Sequence, residues 1–308
     1  MKTAALSDAS GNGKASGGAF PNGSIPMEEE KRMRLQKRRA RTYVCFCLIL
    51  ALLTAAGCTS APEDKTYGVF LSETEDLSRL GEFETVVVDA QFFSKEEIDR
   101  FRHGGHKVYS YINVGSIENF RDYFSEYRDL LLSPYDHWDE EYWVDVSDER
   151  WQAFMIHELT PALLQKNVDG FFVDNCDVYF HYPTGETMAG LSSILHALVE
   201  TGKPVLINGG DAFVDAYCAA GGRWDEVMTG INQETVFSKI LWDEDRFGTA
   251  SDEDRAYFMD YIERYAAEGA EIYLLEYTKS SSLAAQIREY CRKNGFDYYI
   301  SDSIELDK

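Results

Sequence analysis

From Tyr67 onward, short apolar runs alternate with longer stretches in which apolar residues return every three or four positions, the pattern of a chain that passes from strand to helix and back. The runs predict eight strands, at about 67–71, 85–90, 107–113, 170–174, 204–208, 226–232, 271–277 and 297–301. Several, such as Gly170-Phe171-Phe172-Val173, are apolar throughout rather than alternating, which suits parallel strands covered on both faces. Between them, 94–104 opens on Ser94-Lys95-Glu96-Glu97, a capping-box pattern, and 252–268 repeats Tyr257, Tyr261 and Tyr265 every fourth residue, a packing stripe on a helix. Gly104-Gly105, Gly202 and Gly269 fall where helices should stop. The expected fold is α/β, a (β/α)8 TIM barrel forming a single domain over 67–308, with a doubly wound open sheet as the alternative.

In such a barrel the active site is built from the loops that follow the strands. Polar residues gather there: Asp89 and Gln91 after the second strand, Asn113 and Glu118 after the third, Asp174, Asn175 and Asp177 after the fourth, Asn208 and Asp211 after the fifth, Asn232, Gln233 and Glu234 after the sixth, Glu276 and Tyr277 after the seventh. Each acid also has a plainer role. Asp89, Asp177 and Asp211 suit helix caps, and Glu118 and Glu276 have Arg121 and Lys279 nearby as ion-pair partners. Asp174 and Glu234 carry the sharper expectation. Each directly follows an apolar strand, and strands four and six of a barrel lie two apart, within reach of one ligand. Cleavage of a glycosidic bond needs such a pair, one acid to protonate the leaving oxygen and one carboxylate to attack the sugar or activate water. Tyr111, Trp143, Tyr179, Tyr182 and Trp242 are candidates for stacking on sugar faces.

The first 57 residues read differently. A Gly/Ser/Ala-rich stretch over 1–32, lacking apolar periodicity, is expected to be disordered or an upstream extension, with Met27 or Met33 as alternative starts. Over 33–57, the last residues of a basic cluster precede the apolar run Val44 to Leu53 and then Ala55-Ala56-Gly57, the order of a bacterial export signal. That run is well short of the roughly 20 residues that span a bilayer. Leu53-Thr54-Ala55-Ala56-Gly57-Cys58 resembles a lipoprotein signal, so Cys58 is the candidate lipidation site, with 58–66 as a linker and membrane attachment only through that lipid. Ordinary cleavage after Gly57 is the alternative.

The whole chain carries −23, and its first 57 residues hold nine Lys or Arg against four Asp or Glu, which leaves −28 on the exported part. Such a field disfavours nucleic acid and attracts cationic ligands. Cys176, Cys218 and Cys291 show neither disulfide nor zinc spacing, no metal or cofactor is expected, and Asn208-Gly209-Gly210-Asp211 lacks the spacing of a nucleotide-binding loop.

Four separated segments resemble glycoside hydrolase family 114: Tyr109 to Arg121, Tyr142 to Val146 with Trp151, Gly170 to Asp177, and Asn232-Gln233-Glu234. That family contains endo-α-1,4-polygalactosaminidases and related bacterial extracellular proteins. The resemblance implies a (β/α)8 barrel that cleaves α-1,4-linked galactosamine polymers by a retaining mechanism. Asp174 would be the nucleophile and Glu234 the acid/base, with Asp89, Glu118, Asp145 and Asp177 lining the cleft. The implied partner is a cationic amino-sugar polysaccharide. The alternatives are a non-catalytic polysaccharide-binding envelope lipoprotein on the same barrel, and a glycosidase of another sugar linkage.

Overall fold

The computed structural model describes residues 65–307, which belong to the second of two compact units, Asp64–Lys308. The expectations for 1–32, for the export signal, for Cys58 and for most of the linker lie outside the described residues. Among the described residues no helix is long and apolar enough to cross a membrane.

Thirteen strands are present among the described residues, numbered in chain order. Eight of them, β1 (Tyr67–Val69), β2 (Thr85–Val88), β3 (Lys107–Asn113), β7 (Gly170–Asp174), β8 (Val205–Asn208), β9 (Gly230–Glu234), β12 (Glu271–Tyr277) and β13 (Asp297–Ser301), form one sheet in the order β1-β2-β3-β7-β8-β9-β12-β13. Every neighbouring pair in it is parallel. The sheet curls into a nearly closed (β/α)8 barrel. Its first and last strands meet through side chains, with Thr66 Oγ1 donating to Asp297 Oδ1 at 2.5 Å and the Phe70 and Tyr299 rings 5.0 Å apart. Val86 to Val88, Phe171 to Val173 and Val205 to Ile207 are all buried, as expected of strands with packed side chains on both faces.

Helix ends follow their sequence signals. Ser94 and Glu97 close a reciprocal capping box on the helix Lys95–His103, and Gly269 ends the helix Asp252–Glu268 at φ 106°. Tyr261 and Tyr265 of the tyrosine stripe are buried, whereas Tyr257 is exposed and donates to Asp211 Oδ2 at 2.5 Å.

Three features depart from the sequence reading. The sixth barrel strand runs 230–234 rather than 226–232, because Trp224–Glu226 forms a 3-10 turn and the strand begins where Gly230 passes against the Glu271 carbonyl, 2.5 Å from where a Cβ would sit. Glu234 is therefore the last residue of its strand. After β3 the chain makes a three-stranded antiparallel sheet, ordered β4 (Ser116–Glu118), β6 (Glu141–Val144), β5 (Leu131–Pro134). After β9 it makes the hairpin β10 (Ser238–Leu241) and β11 (Arg246–Thr249). These strands are three or four residues long and carry too little alternation to be read from sequence.

Candidate active site

Three consecutive barrel strands, β7, β8 and β9, end in Asp174, Asn208 and Glu234. The residue that follows each one is left-handed: Asn175 at φ 64°, Gly209 at φ 65° and Thr235 at φ 55°. The chain thus turns away sharply at the same point three times, leaving the preceding side chain at the mouth. Asparagine and glycine tolerate that conformation; a β-branched threonine does not adopt it without strain, a cost found most often beside functional sites.

Asn208 stands between the two acids. Its Nδ2 donates to Asp174 Oδ1 at 3.0 Å and to Glu234 Oε1 at 2.7 Å, which keeps those two oxygens within about 5.7 Å of each other. The remaining oxygens are also held: Tyr111 donates to Asp174 Oδ2 at 3.1 Å and Tyr277 to Glu234 Oε2 at 2.8 Å. The amide of Asn208 is oriented from below. Asn232 Nδ2 donates to Asn208 Oδ1 at 2.7 Å, and the Tyr67 hydroxyl inside the barrel donates to Asn232 Oδ1 at 3.0 Å. With two carboxylates demanding the Asn208 donors, each amide in this chain has only one consistent orientation.

Burial raises the pKa of Asp174 above the ordinary carboxyl range, against the pull of Asn208 and Tyr111, with Glu118 adding repulsion. Burial raises Glu234 as well, with Asp174 repelling it and Asn208 and Tyr277 opposing the rise. Two carboxyls sharing one donor in a shielded pocket favour holding a proton between them. Asp177 adds a third carboxyl, pushed up to about 7 by burial and then by Asp211 and Asp174.

The other acids expected at the cleft are already engaged. Arg121 holds Glu118 through two bonds, Nε to Oε2 at 2.9 Å and Nη2 to Oε1 at 2.8 Å, and reaches Asp89 Oδ2 with Nη1 at 2.5 Å. All three side chains are buried. Tyr111 touches both Glu118 and Asp174, so this ion-pair cluster supports the pair from behind. Asp145 accepts from Ser147 N and Oγ in a turn. Asn113 is buried, bonded to Ser116, Asn175 and Glu141.

Glu276, expected to bind substrate, is instead fully buried. Its carboxylate accepts from Phe237 N at 2.8 Å, Ser238 N at 2.8 Å and Ser238 Oγ at 2.5 Å, and it anchors the chain just beyond Glu234. Its apolar surroundings push it up to about 7.

Sequence reasoning missed Glu141. It lies opposite Glu118 in the β4/β6 pair, accepts from Asn113 and Asn175 at 3.0 and 2.9 Å and from Ser116 Oγ, and is pushed up to about 7 by burial. No strand-end signal marked it, because its strand belongs to the accessory sheet. Among the stacking candidates, Tyr111 and Trp143 are buried, Trp143 under Tyr135 at 4.5 Å, and Tyr179 packs on Phe213. Tyr182 donates to Ser133. Trp242 is exposed at the tip of the β10/β11 hairpin, stacked on His137 at 4.6 Å.

Residues 51–203 match the model of glycoside-hydrolase family GH114. The chain belongs to that family. It is a glycoside hydrolase. The matched segment includes Asp174 and stops short of Glu234, which is placed by the fold alone.

The glycoside hydrolase domain of PelA from Pseudomonas aeruginosa has a similar fold, with a TM-score of 0.66 and 17% identity over 79% of this chain and 96% of that one. Ega3 from Aspergillus fumigatus, solved in complex with galactosamine, gives a TM-score of 0.60 and 17% identity over 79% and 93%. An α-galactosidase from Thermus thermophilus gives 0.50 at 10% identity over 77% and 58%. No curated protein matches the sequence.

Proposed function

We propose that this protein hydrolyses α-1,4-linked galactosamine-containing polysaccharide, with Asp174 as nucleophile and Glu234 as acid/base in a retaining mechanism. The observation that carries the reading is the single Asn208 amide nitrogen shared by the two carboxylates. It keeps their facing oxygens within about 5.7 Å of each other, which is compatible with retaining pairs (about 5–5.5 Å) and below the separation of inverting ones (about 6.5–9.5 Å). The galactosamine ligand of Ega3 and the −28 charge outside the first 57 residues support an amino-sugar polymer as substrate.

In the first step the Asp174 carboxylate attacks the anomeric carbon while the carboxylic acid of Glu234 gives its proton to the departing glycosidic oxygen. A glycosyl ester forms on Asp174, and one end of the polymer leaves. In the second, the Glu234 carboxylate takes a proton from water, the resulting hydroxide attacks the same carbon, and the ester bond to Asp174 breaks. Burial serves this exchange, because it keeps the acid protonated at a pH where an exposed glutamate would be ionised. Asp177, next to Asp174 and partly accessible, suits a protonated amino group of the sugar. We further propose that residues 33–57 direct export and that Cys58 carries a lipid; a Cys58→Ser variant should then appear in the medium rather than in the membrane fraction.

The test is release of new reducing ends from a galactosamine polymer, with proton NMR of the first-formed anomer. Cleavage with net retention is expected. Full cleavage by well-folded Asp174→Asn and Glu234→Gln variants, or inversion at the anomeric carbon, would overturn the assignment.

A further inference from the structure

Asn175 directly follows Asp174 in the chain, and its side chain is plugged into the accessory sheet. Its Nδ2 donates to Ser116 Oγ at 2.7 Å, to Glu141 Oε1 at 2.9 Å and to Asn113 Oδ1 at 3.1 Å, and its Oδ1 accepts from the Tyr135 hydroxyl at 3.0 Å. Ser116 belongs to β4, Glu141 to β6, and Tyr135 directly follows β5, so all three accessory strands converge on one buried amide.

The sheet presses on the backbone here as well. A Cβ on Gly115 would stand 1.8 Å from the Asn175 carbonyl oxygen, and the Gly115 carbonyl accepts from Val144 N of β6 at 3.0 Å. Asn175 is left-handed at φ 64°, and its own backbone N–H bonds the Asp174 carboxylate, opposing the rise that burial imposes there. Asparagine adopts that conformation readily, so four side-chain contacts are more than the turn itself needs. What they fix is the direction of that N–H and, with it, of the Asp174 side chain.

Glu141 is the hub of the grip. Asn113 Nδ2, Asn175 Nδ2 and Ser116 Oγ all donate to one of its oxygens, Oε1. Burial pushes its carboxyl up to about 7, so near neutral pH it is found with and without its proton, and Oε1 can accept in both states.

We infer that Glu141 is a positioning residue that acts through Asn175 to hold Asp174 in line for attack, which makes the accessory sheet part of the catalytic apparatus. The inference rests on Asp174 as the proposed nucleophile and adds what aims it. What the network takes from Glu141 is an acceptor, not a charge or a proton. A misaimed carboxylate slows the making and breaking of the bond at the anomeric carbon and leaves sugar binding alone, so the loss belongs in kcat and not in KM.

The test is a double-mutant cycle on the full chain, read as kcat and KM for a galactosamine polymer. Asn175→Gly keeps the left-handed turn and removes all four side-chain contacts; Glu141→Leu removes the shared acceptor. Each should lower kcat about ten-fold with KM within about two-fold of the parent's, and the double variant should be no slower than the slower single, because both act through one contact. Glu141→Gln, whose amide oxygen can accept from the same three donors, should bring kcat back to within about three-fold of the parent's. Tyr135→Phe keeps its ring 4.5 Å from that of Trp143 and loses the bond to Asn175, so its cycle with Asn175→Gly carries the test if Glu141→Leu does not fold.

A parent-like kcat in Asn175→Gly would overturn the inference, as would losses that multiply in the cycle, or a rise in KM without a fall in kcat. A Glu141→Gln variant as slow as Glu141→Leu would overturn it too, because the charge or proton would then be the active feature. If the parent cleaves no galactosamine polymer, or Asp174→Asn cleaves it fully, the proposed function fails and this inference with it. If Asp174→Asn is inactive and Asn175→Gly is unimpaired, only the inference fails.

Discussion

Replacing Asn208 by leucine, which keeps the bulk and removes the donors, tests the central geometry most directly. The substitution deletes the bonds at 3.0 Å to Asp174 and 2.7 Å to Glu234 together. Bonds to an ionised acceptor are worth about 1.5–3 kcal/mol each, and both act on the charged forms, opposing the rise that burial imposes. Without them each carboxyl holds its proton more tightly. Since 1.36 kcal/mol corresponds to one pH unit, both limbs of the bell-shaped profile should move upward by about one unit or more.

At a fixed pH near the original optimum, less of the enzyme then has Asp174 ionised, and the acids lose their fixed spacing. A fall in kcat/KM of about 10- to 100-fold follows from losing roughly 1.4–2.8 kcal/mol of positioning. The assay is reducing-end release from a galactosamine polymer across pH, with thermal unfolding as a check on folding, because Asn232 Nδ2 also loses its acceptor. Tyr67→Phe, one step further back, removes the donor that orients Asn232 and should shift the profile in the same direction by less. A rate and profile identical to the parent's in both variants would refute the idea that this amide sets the pair.

Gly115→Ala should cost several kcal/mol and most activity, because a Cβ there would stand 1.8 Å from the Asn175 carbonyl oxygen, behind Asp174; urea unfolding measures it, and a midpoint near the parent's would contradict the packing. Thr235→Gly relieves a left-handed threonine and should raise stability by up to about 1 kcal/mol while loosening Glu234 and lowering kcat; a loss of stability would show that the strain is absent. Glu276, Glu141 and Asp177, each pushed up to about 7, bind protons more tightly folded than unfolded. Their contribution is complete below the ordinary carboxyl range and is lost as pH rises through about 7, on the order of 3 kcal/mol for fully buried Glu276. The melting temperature should accordingly fall between pH 5 and pH 8, and a rise over that interval would be inconsistent with these buried acids.

The barrel was legible because its strands are continuous apolar runs bounded by helix terminators, a pattern set by burial on both faces and independent of distant contacts. Asp174 was legible for the same reason, as the acid ending such a run, whereas Glu234 follows the polar Asn232-Gln233 and lay two residues past the expected strand. What sequence cannot show is which acid already has a partner. Arg121 lies three residues from Glu118, so that pair was foreseeable; its second bond, to Asp89, joins residues 32 apart in the chain and depends on β2 and β3 being neighbours. Glu276 ends its run much as Asp174 does, yet the loop beyond β9 folds back over it and supplies three donors. Glu141 belongs to a short antiparallel strand with no periodic signal at all.

Partner supply, then, sorts a surplus of acids at the barrel mouth into two kinds. Where a cation or several N–H groups converge, as on Asp89, Glu118 and Glu276, the carboxylate is fixed and becomes part of the scaffold. Where only a few neutral donors reach it at the mouth, as on Asp174 and Glu234, the carboxylate is oriented but not neutralised, and burial raises its proton affinity, as it also does for the more enclosed Asp89 and Glu276. A guanidinium in place of the Asn208 amide would hold the same two oxygens at a similar spacing, yet it would draw both acids into the ionised form and leave no proton for the leaving oxygen. In the proposed mechanism the neutral amide is compatible with one carboxyl acting charged and the other protonated, the asymmetry that breaking a glycosidic bond requires.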